Sequence, residues 1–437
     1  MTSYLLEHAL LDGEVHPDVA VTIEDGRFTR VGGAARAGAE RLTGLTLPGF
    51  ANAHSHAFHR ALRGRTQHGR GTFWTWREQM YALAARLDPD SYRVLATAVF
   101  REMAATGITT VGEFHYLHHR PDGSAYDDPN AMGLALVEAA HEAGVRITLL
   151  DTLYLAAGIG KPAEGVQARF SDGSAEAWQE RTDELTVDVA GDVVVGAAVH
   201  SVRAVPLEAM PLVAEWADRF ETPLHVHLSE QVAENEECLA AYGRTPTEVL
   251  AEAGVLTDRT TVVHATHLTD VDVVRLGAAG CSACFCPTTE RDLGDGIGPS
   301  RALLAAGARL TLGSDSHAVI DPFEEMRGLE MDERLADRSR GHWSALEILE
   351  AATAGGHASL GFPDAGRIAT GWRADLVTVD LTSQRTAGCG AAPETAVFAA
   401  SAADVVQVVS GGRVVHRAGD PVGPPLERVV RALWEER

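Results

Sequence analysis

LTLPGFANAHSH, residues 45–56, is an apolar run that ends in two histidines two positions apart. Residues two apart on a β-strand lie on the same face, so the imidazoles of His54 and His56 could bind one ion. An H-x-H alone is a weak signal in a chain with nineteen histidines. Inferring the fold and the function therefore requires the residues at the ends of the other apolar runs.

Seven further apolar, β-rich runs also end in polar residues. Most are separated by segments with helical spacing of apolar residues, such as SYRVLATAVFREMAATG (91–107). Eight strands alternating with helices predict an α/β fold, a (β/α)₈ barrel whose strand ends meet in one site. The seven runs are ITTVGEFHY (108–116), RITLLDTLYL (146–155), VVVGAAVHSVR (193–203), PLHVHLSE (223–230), TTVVHATH (260–267), CSACFCPTTE (281–290) and RLTLGSDSH (309–317).

The two ends of the chain have a different pattern. VAVTIEDGRFTRVGG (19–33) and VVQVVSGGRVVHRAG (405–419) each contain a turn dipeptide, D-G or G-G, between two strand-like runs, which predicts hairpins. We see no long helical periodicity in these flanks. They predict one small β-sandwich domain built from residues 1–47 plus 365–437, with the barrel spanning residues 48–364.

Composition excludes several classes of partner. A formal net charge of −24 argues against nucleic acid and anionic membrane surfaces. We find no uninterrupted apolar run near eighteen residues, and MTSYLLEHALLDGE has no basic segment followed by an apolar one, so we expect neither a membrane span nor a signal peptide. The five cysteines, three of them in CSACFC (281–286), favour reduced, buried thiols in a cytoplasmic protein.

The strand ends carry candidate metal ligands. Three imidazoles and a carboxylate suit Zn²⁺, with Fe²⁺ or Mn²⁺ possible. Spacing alone does not separate His225 from His227 as the ligand on strand five. The candidates after strands one, five, six and eight are His54 and His56, then His225, His227 and Glu230, then His264 and His267, then Asp315 and His317.

This pattern resembles the amidohydrolase superfamily over nearly the whole chain. The resemblance is carried by H-x-H after the first strand, H-x-x-E on strand five, a histidine on strand six and S-D on strand eight. It implies catalytic roles for Glu230 and His264 in proton transfer and polarisation, and for Asp315 as a proton acceptor. The metal ligands that it implies are His54, His56, His227 and Asp315.

The single lysine of the chain indicates how many metal ions the site holds. Some superfamily members bridge two metals with a carboxylated lysine on strand four, but Lys161 lies after strand three, in GIGKPAEG (158–165). The resemblance therefore implies one metal ion per chain. It places the chain in a subgroup dominated by deaminases that hydrolyse C=N bonds.

Four stretches resemble members of that subgroup that act on a small linear amidine with two carboxylates: FWTWREQMYALAARL (73–87), GEFHYLHH (112–119), VHSVRAV (199–205) and CPTTERDLGDGI (286–297). The resemblance implies substrate contacts from Arg77, Tyr116, His200 and Arg203. Paired guanidinium groups suit two carboxylates because each can bind one in a bidentate way. His59 replaces a glutamine of the family pattern, and we include it as a substrate contact.

Other interpretations remain open at this point. A deaminase of the same superfamily acting on guanine or a related heterocycle would keep the metal ligands but would not need paired arginines. A non-catalytic barrel protein should have lost ligands, and none is lost here. We expect Trp74 and Trp76 to pack and not to bind substrate, and the family resemblance implies a homodimer.

Overall fold

The computed structural model describes residues 1–67, 73–185 and 191–435. The strands in these ranges are β1 (Thr2–Leu11), β2 (Glu14–Glu24), β3 (Arg27–Val31), β4 (Glu40–Pro48), β5 (Phe50–Ser55), β6 (Ile108–His115), β7 (Arg146–Leu153), β8 (Ala156–Gly158), β9 (Lys161–Pro162), β10 (Val193–Val199), β11 (Leu224–Leu228), β12 (Thr260–His264), β13 (Ser282–Phe285), β14 (Arg309–Leu312), β15 (Leu376–Val379), β16 (Val405–Ser410) and β17 (Arg413–Arg417).

The α-helices of the described residues are α1 (Phe73–Ala84), α2 (Pro89–Ala105), α3 (Ala131–Ala143), α4 (Ala175–Asp183), α5 (Met210–Arg219), α6 (Val232–Tyr242), α7 (Pro246–Glu252), α8 (Asp270–Ala278), α9 (Pro287–Leu293), α10 (Ser300–Ala306), α11 (Pro322–Asp337), α12 (Ala345–Glu350), α13 (Gly356–Ser359), α14 (Pro393–Phe398) and α15 (Gly423–Glu435). Short 3₁₀ helices span Ala57–Leu62, Gly165–Phe170, Leu207–Ala209 and Ala402–Asp404, and a π-helical turn spans Ala351–Gly355.

Eight parallel strands form the barrel, in the order β14-β13-β12-β11-β10-β7-β6-β5. Every predicted run supplies one of these strands. Their residues are almost all buried because the strands have helices on one side and the filled barrel interior on the other. The predicted fold class is confirmed.

The first and last barrel strands meet next to two of the candidate ligands. The backbone N–H groups of Ser314 and Asp315 donate to the carbonyl oxygen of His54, at 3.1 and 3.0 Å. The side chain of Asn52 donates to Ser314 Oγ at 2.7 Å and accepts from Ser314 N at 2.9 Å. Barrel closure therefore also fixes the position of His54 relative to Asp315.

The second sheet joins both ends of the chain, in the order β17-β16-β15-β4-β1-β2-β3. Its two predicted hairpins are present, and their turn residues Asp25, Gly26, Gly411 and Gly412 all have positive φ, as tight hairpin turns require. The sheet has a hydrophobic core of its own, which includes Tyr4, Leu6, Val21, Ile23, Phe28, Leu42, Leu376 and Val409. The predicted small β domain from both chain ends is confirmed, whereas its exact boundaries stay a prediction.

A buried ion pair connects the barrel to this sheet. Arg146, at the start of β7, donates to both oxygens of Asp375, just before β15, and both side chains are about 2 % exposed or less. Gly49, between β4 and β5, passes close to them: a Cβ there would lie 2.9 Å from that of Asp375. The two units are therefore packed too tightly at this point to admit a larger residue.

The C-terminal flank differs from the expectation. No helix is predicted there, but residues 423–435 form α15, which packs on α2 of the barrel. Trp434 Nε1 donates to the carbonyl of Ala61 at 3.0 Å, and Arg86 donates to that of Leu433 at 2.7 Å. The overlooked signal is the spacing of Leu426, Val429, Val430, Leu433 and Trp434, which places all five on one helical face.

Within the described residues, none of the helices has both the length and the apolar character needed to cross a membrane. The five cysteines are free thiols; Cys281, Cys284 and Cys286 are buried, as predicted, and Cys389 is exposed.

Candidate metal centre and active-site cavity

Three barrel strands end in strained backbone at the candidate site. Ser229, His264 and Asp315 have φ values of 51°, 69° and 38°, which L-residues other than glycine adopt rarely. Such strain persists only where the surrounding structure imposes it, and it clusters at functional sites. The sharp turns here place His264 and Asp315 at the C-terminal end of the barrel.

Four buried side chains converge there. Nε2 atoms of His54 and His56 each lie 3.3 Å from Asp315 Oδ1, and His227 Nε2 lies 3.1 Å from His54 Nε2. One ligand atom from each of these four residues falls within 4.8 Å of all the others. The structure thus brings together the four residues that the family resemblance implies as ligands.

Backbone carbonyls orient two of the imidazoles. His56 Nδ1 donates to the carbonyl of Phe114 at 3.0 Å, and His227 Nδ1 donates to that of His200 at 2.9 Å. A neutral imidazole that donates from Nδ1 presents an Nε2 lone pair, so both rings aim acceptors at the cluster. The close approach of the Nε2 atoms of His227 and His54 is what two ligands of a shared cation would show.

The protonation states also favour a cation. Burial lowers the pKa of His54, His56 and His227, which keeps these imidazoles neutral. Burial raises the pKa of Asp315, but His54 and His264 outweigh it and hold that pKa below its usual range. Three neutral imidazoles and one carboxylate match the donors that Zn²⁺, Fe²⁺ or Mn²⁺ prefer, so the residues fit a single divalent ion.

His264 lies between three carboxylates. Its Nε2 is 3.8 Å from Glu230 Oε1 and 3.7 Å from Asp315 Oδ2, and its Nδ1 is 3.3 Å from Glu290 Oε1. Burial lowers the pKa of His264, but Glu230, Glu290 and Asp315 outweigh it and hold the pKa well above its usual value. Sequence reasoning missed Glu290, which follows β13. It lies in the stretch 286–297, for which only a resemblance to the deaminase subgroup is noted.

The other histidines of these strand ends lie outside the cluster. His225 Nε2 faces the carbonyl of Ser359 at 3.5 Å, and His317 Nε2 lies 3.1 Å from Ser55 Oγ. Side chains two apart on a barrel strand occupy successive layers of the interior, so only His227, in the end layer, reaches the ligands. The cluster thus contains His227 and not His225.

A cavity opens onto the cluster. All five predicted substrate contacts line it: Arg77 from α1, His59 from the 3₁₀ helix after β5, Tyr116 after β6, and His200 and Arg203 after β10. His59 Nε2 lies 3.1 Å from the Tyr116 hydroxyl.

Of the two tryptophans predicted to pack, only Trp76 has a described side chain. Trp76 packs against the hydrophobic core and edge-on against His59, at 5.3 Å between ring centroids, and it also lines the cavity. The side chain of Trp74 lies outside the described residues.

Arg203 is held by a carboxylate that sequence reasoning also missed. Its Nε donates to Oε2 of the buried Glu234 at 2.8 Å, while Nη2 lies 3.6 Å from Glu230 Oε2. The other oxygen of Glu234 accepts from the backbone N–H of Ser229 at 2.9 Å. The guanidinium carbon of Arg77, which also lines the cavity, lies 5.3 Å from the ring centre of Tyr81.

A second buried group with metal-ligand chemistry consists of His115, His118 and Asp151. The carboxylate of Asp151 accepts two hydrogen bonds from Arg181, at 2.7 and 2.8 Å, and one from Trp178 at 2.9 Å. These bonds occupy its lone pairs and place a positive charge beside it. The arrangement is that of a structural ion pair which connects β7 to α4.

The model of the amidohydrolase family matches residues 45–415. The chain is 39% identical over 451 residues to a formimidoylglutamate deiminase of Pseudomonas aeruginosa, covering 99% of this chain and 98% of that protein. It is 30% identical over 417 residues to an 8-oxoguanine deaminase of the same organism, covering 91% and 90%. A crystal structure of an amidohydrolase from Brucella melitensis superposes with a TM-score of 0.88 at 30% identity, covering 99% and 100%.

Proposed function

Since the chain belongs to the amidohydrolase family, we propose that it hydrolyses the C=N bond of N-formimino-L-glutamate to give N-formyl-L-glutamate and ammonia. Family membership makes the chain a hydrolase of carbon–nitrogen bonds, and what we propose is the identity of the substrate. The observation that carries it is the joint placement of Arg77 and Arg203 in the cavity that opens onto the metal cluster. A small dicarboxylate is the substrate that two such cations select.

Each arginine suits one carboxylate. Arg203 lies beside Glu230, at the reacting end of the cavity, so it is suited to the α-carboxylate, which is next to the formimino nitrogen. Arg77 lies on α1, next to Tyr81, and we assign it to the side-chain carboxylate. Binding at both ends would fix the formimino carbon over the cluster and remove most of the rotational freedom of the substrate.

His54, His56, His227 and Asp315 would hold one divalent ion, which we propose to be zinc. When bound, such an ion supplies a Lewis acid that makes water a nucleophile at neutral pH. The second oxygen of Asp315 is placed to accept a proton during attack. This oxygen, Oδ2, lies 3.7 Å from His264 Nε2, so the accepted proton would lie close to that imidazole.

Glu230 and His264 complete the proton transfers in this proposal. Glu230 lines the cavity and passes a proton to the formimino nitrogen, which then leaves as ammonia. His264, paired through Nδ1 with Glu290, directs Nε2 into the cavity and stabilises the oxygen that gains charge during attack. Water supplies the oxygen of the formyl group, so no other reactant is needed.

We further propose that this reaction belongs to histidine breakdown, and that the protein acts in the cytoplasm as a homodimer with no nucleic-acid partner. A second candidate function is deamination of 8-oxoguanine or guanine, because one relative is an 8-oxoguanine deaminase. A neutral purine ring has no carboxylate groups for the two arginines of the cavity to bind, which favours the formimino substrate.

The test is ammonia release from N-formimino-L-glutamate, guanine, 8-oxoguanine and N-formiminoglycine by purified protein of known metal content. We expect N-formimino-L-glutamate to be hydrolysed with the highest kcat/KM by a wide margin. Glu230→Gln protein, prepared in parallel, controls for contaminating activity. A higher kcat/KM for either purine would refute the proposal and establish the second candidate.

A further inference from the structure

We propose that the hydroxyl groups of Tyr81 and Tyr154, both held by Gln167, donate hydrogen bonds to the side-chain carboxylate of the substrate. The inference rests on the proposed function, which it deepens by identifying what recognises the far end of the substrate. Gln167, Tyr81 and Tyr154 all line the cavity, and no role in substrate binding was predicted for them.

The orientation of the Gln167 amide is fixed by its hydrogen bonds. Its Oε1 accepts from the backbone N–H of Glu164 at 3.1 Å, so Nε2 must point the other way. Nε2 then donates one proton to the hydroxyl oxygen of Tyr81 and one to that of Tyr154, each at 2.9 Å. The reversed amide would place NH₂ against an N–H donor. Both tyrosines therefore act as acceptors towards Gln167.

A tyrosine hydroxyl that accepts from one side still has its own proton to donate. Among the described residues, neither hydroxyl donates that proton to a protein group. Gln167 is 4% exposed and Tyr154 is 7% exposed, so bulk water reaches this part of the wall poorly. One amide thus holds two hydroxyl groups of the cavity lining, each with a proton still to donate, which suits an acceptor with two oxygens.

The local charge specifies which acceptor. Arg77 lies over the ring of Tyr81 at 5.3 Å, and the positive charges of Arg77 and Arg203 both lower the pKa of Tyr154, although burial and Tyr81 raise it more strongly. Hydroxyl donors beside guanidinium groups favour an anion over a neutral carbonyl. A carboxylate offers two oxygens and a negative charge, and therefore fits.

The distance from the cluster specifies which carboxylate. Tyr116 contacts the ring of His56, at 5.3 Å between centroids, whereas the described ring contacts of Tyr154 are with His200, at 4.8 Å, and Phe170, at 5.5 Å. The ring of Tyr81, on α1, contacts Phe170, at 6.1 Å between centroids, and among the described residues it contacts no candidate ligand ring. The group that reaches these hydroxyls is thus the one farthest from the formimino carbon, which is the side-chain carboxylate.

The experiment compares N-formimino-L-glutamate with N-formimino-L-glutamine, which has the same shape but a neutral side-chain amide. Tyr81→Phe and Tyr154→Phe should each lower the ratio of the two kcat/KM values by about 10-fold to 100-fold, as expected for a hydrogen bond to a charged group. Tyr242→Phe, on α6 outside the cavity, is the matched control and should leave the ratio unchanged.

Gln167 is a positioning residue in this proposal, so its effect must pass through the tyrosines. Gln167→Met should lower the same ratio in the wild-type background and change it little when both tyrosines are already Phe. A purely structural role would lower kcat/KM for both substrates equally. An unchanged ratio in all three single variants would overturn the proposal.

Calorimetric binding of the products separates this proposal from the proposed function. The subsite predicts that N-formyl-L-glutamate binds more tightly than N-formyl-L-glutamine, and that Tyr81→Phe and Tyr154→Phe remove the difference. If the wild-type protein shows this binding but releases no ammonia from N-formimino-L-glutamate, the reaction is misassigned and the carboxylate subsite stands. If the products bind equally in every variant, the subsite is refuted.

Discussion

Arg203 and Glu234 form a hydrogen-bonded ion pair at 2.8 Å inside the wall of the cavity, 31 residues apart in sequence. The same carboxylate accepts from the N–H of Ser229, the residue that precedes Glu230. Glu234 therefore positions the proposed substrate-binding cation and the proposed proton donor together, although it touches neither the substrate nor the metal ligands in our proposal.

This relationship gives the first prediction. Glu234→Gln removes the charge that holds Arg203 and should lower kcat/KM for N-formimino-L-glutamate by about 10-fold to 100-fold, because hydrogen bonds between charged groups contribute about 1.5–3 kcal/mol. Metal content should not change. Glu237→Gln, the same substitution on an exposed position of α6, is the control. Equal kinetics of the two variants would contradict the positioning role.

Glu230→Gln should abolish most turnover while the metal stays bound. The amide keeps the shape of the side chain but cannot pass a proton, and general acid–base groups typically contribute about 10²–10⁴-fold. Steady-state kinetics and elemental analysis of one preparation test both parts. A kcat within a few-fold of wild type would assign proton transfer to another group, with Asp315 the first candidate.

Arg77→Met and Arg203→Met should each reduce kcat/KM strongly, because removing one partner of a desolvated charge pair costs about 2–5 kcal/mol. Substrates that lack one carboxylate should be poor for the wild type and much less sensitive to loss of the matching arginine. Arg101→Met, at an exposed position of α2, is the control. Unaltered hydrolysis of N-formimino-L-glutamate by both variants would leave the substrate proposal without its physical basis.

One divalent ion per chain should copurify with the protein. Elemental analysis measures the ratio, and His227→Asn should lower it because that residue contributes one of the four ligand atoms. Lys161→Ala should leave both metal content and activity intact, since the exposed Lys161 lies in the short strand β9, away from the cluster. A ratio near two that fell in the Lys161 variant would establish a bridged pair.

Arg181→Met should destabilise the fold by about 3–5 kcal/mol, because it leaves the buried Asp151 carboxylate without its ionic partner. Burial raises the pKa of Asp151, but Arg181 outweighs it and holds that pKa at about 2. A pKa lower in the folded than in the unfolded state stabilises the fold above pH 4, and this contribution is lost as the pH falls towards 2. The difference in the free energy of unfolding between wild type and variant, measured by urea unfolding followed by circular dichroism, should therefore shrink as the pH falls from about 5 towards 2.

The barrel could be predicted from the sequence because its signals are local. Each strand is an apolar run, and the polar residues at its end mark the face of the barrel where such folds carry their chemistry. The same rule brings the candidate ligands together, since residues at the ends of different strands must meet there, and the family resemblance selects the four from among them.

The supporting residues could not be predicted, because their roles arise from packing. Glu234 looks like an ordinary acidic residue in the first turn of a helix, and only the fold brings it to Arg203. Glu290 and Gln167 likewise contact partners 26 and 86 residues away. The choice between His225 and His227 required the layer of each side chain in the barrel, which strand periodicity does not specify.

The order of strands in the small sheet has a consequence for how the chain is made. Strand β4 pairs on one side with β1, and on the other with β15, whose register runs from Leu376 opposite Pro48 to Val379 opposite Leu45. At roughly 5–20 residues per second, the ribosome needs roughly 15–65 seconds to reach β15 after completing β4. During that interval β4 has an unpaired edge, the kind of surface on which chains associate wrongly. We therefore expect nascent chains to depend on chaperones more than the finished protein does, and truncation before β15 to cause aggregation even when every barrel strand is present.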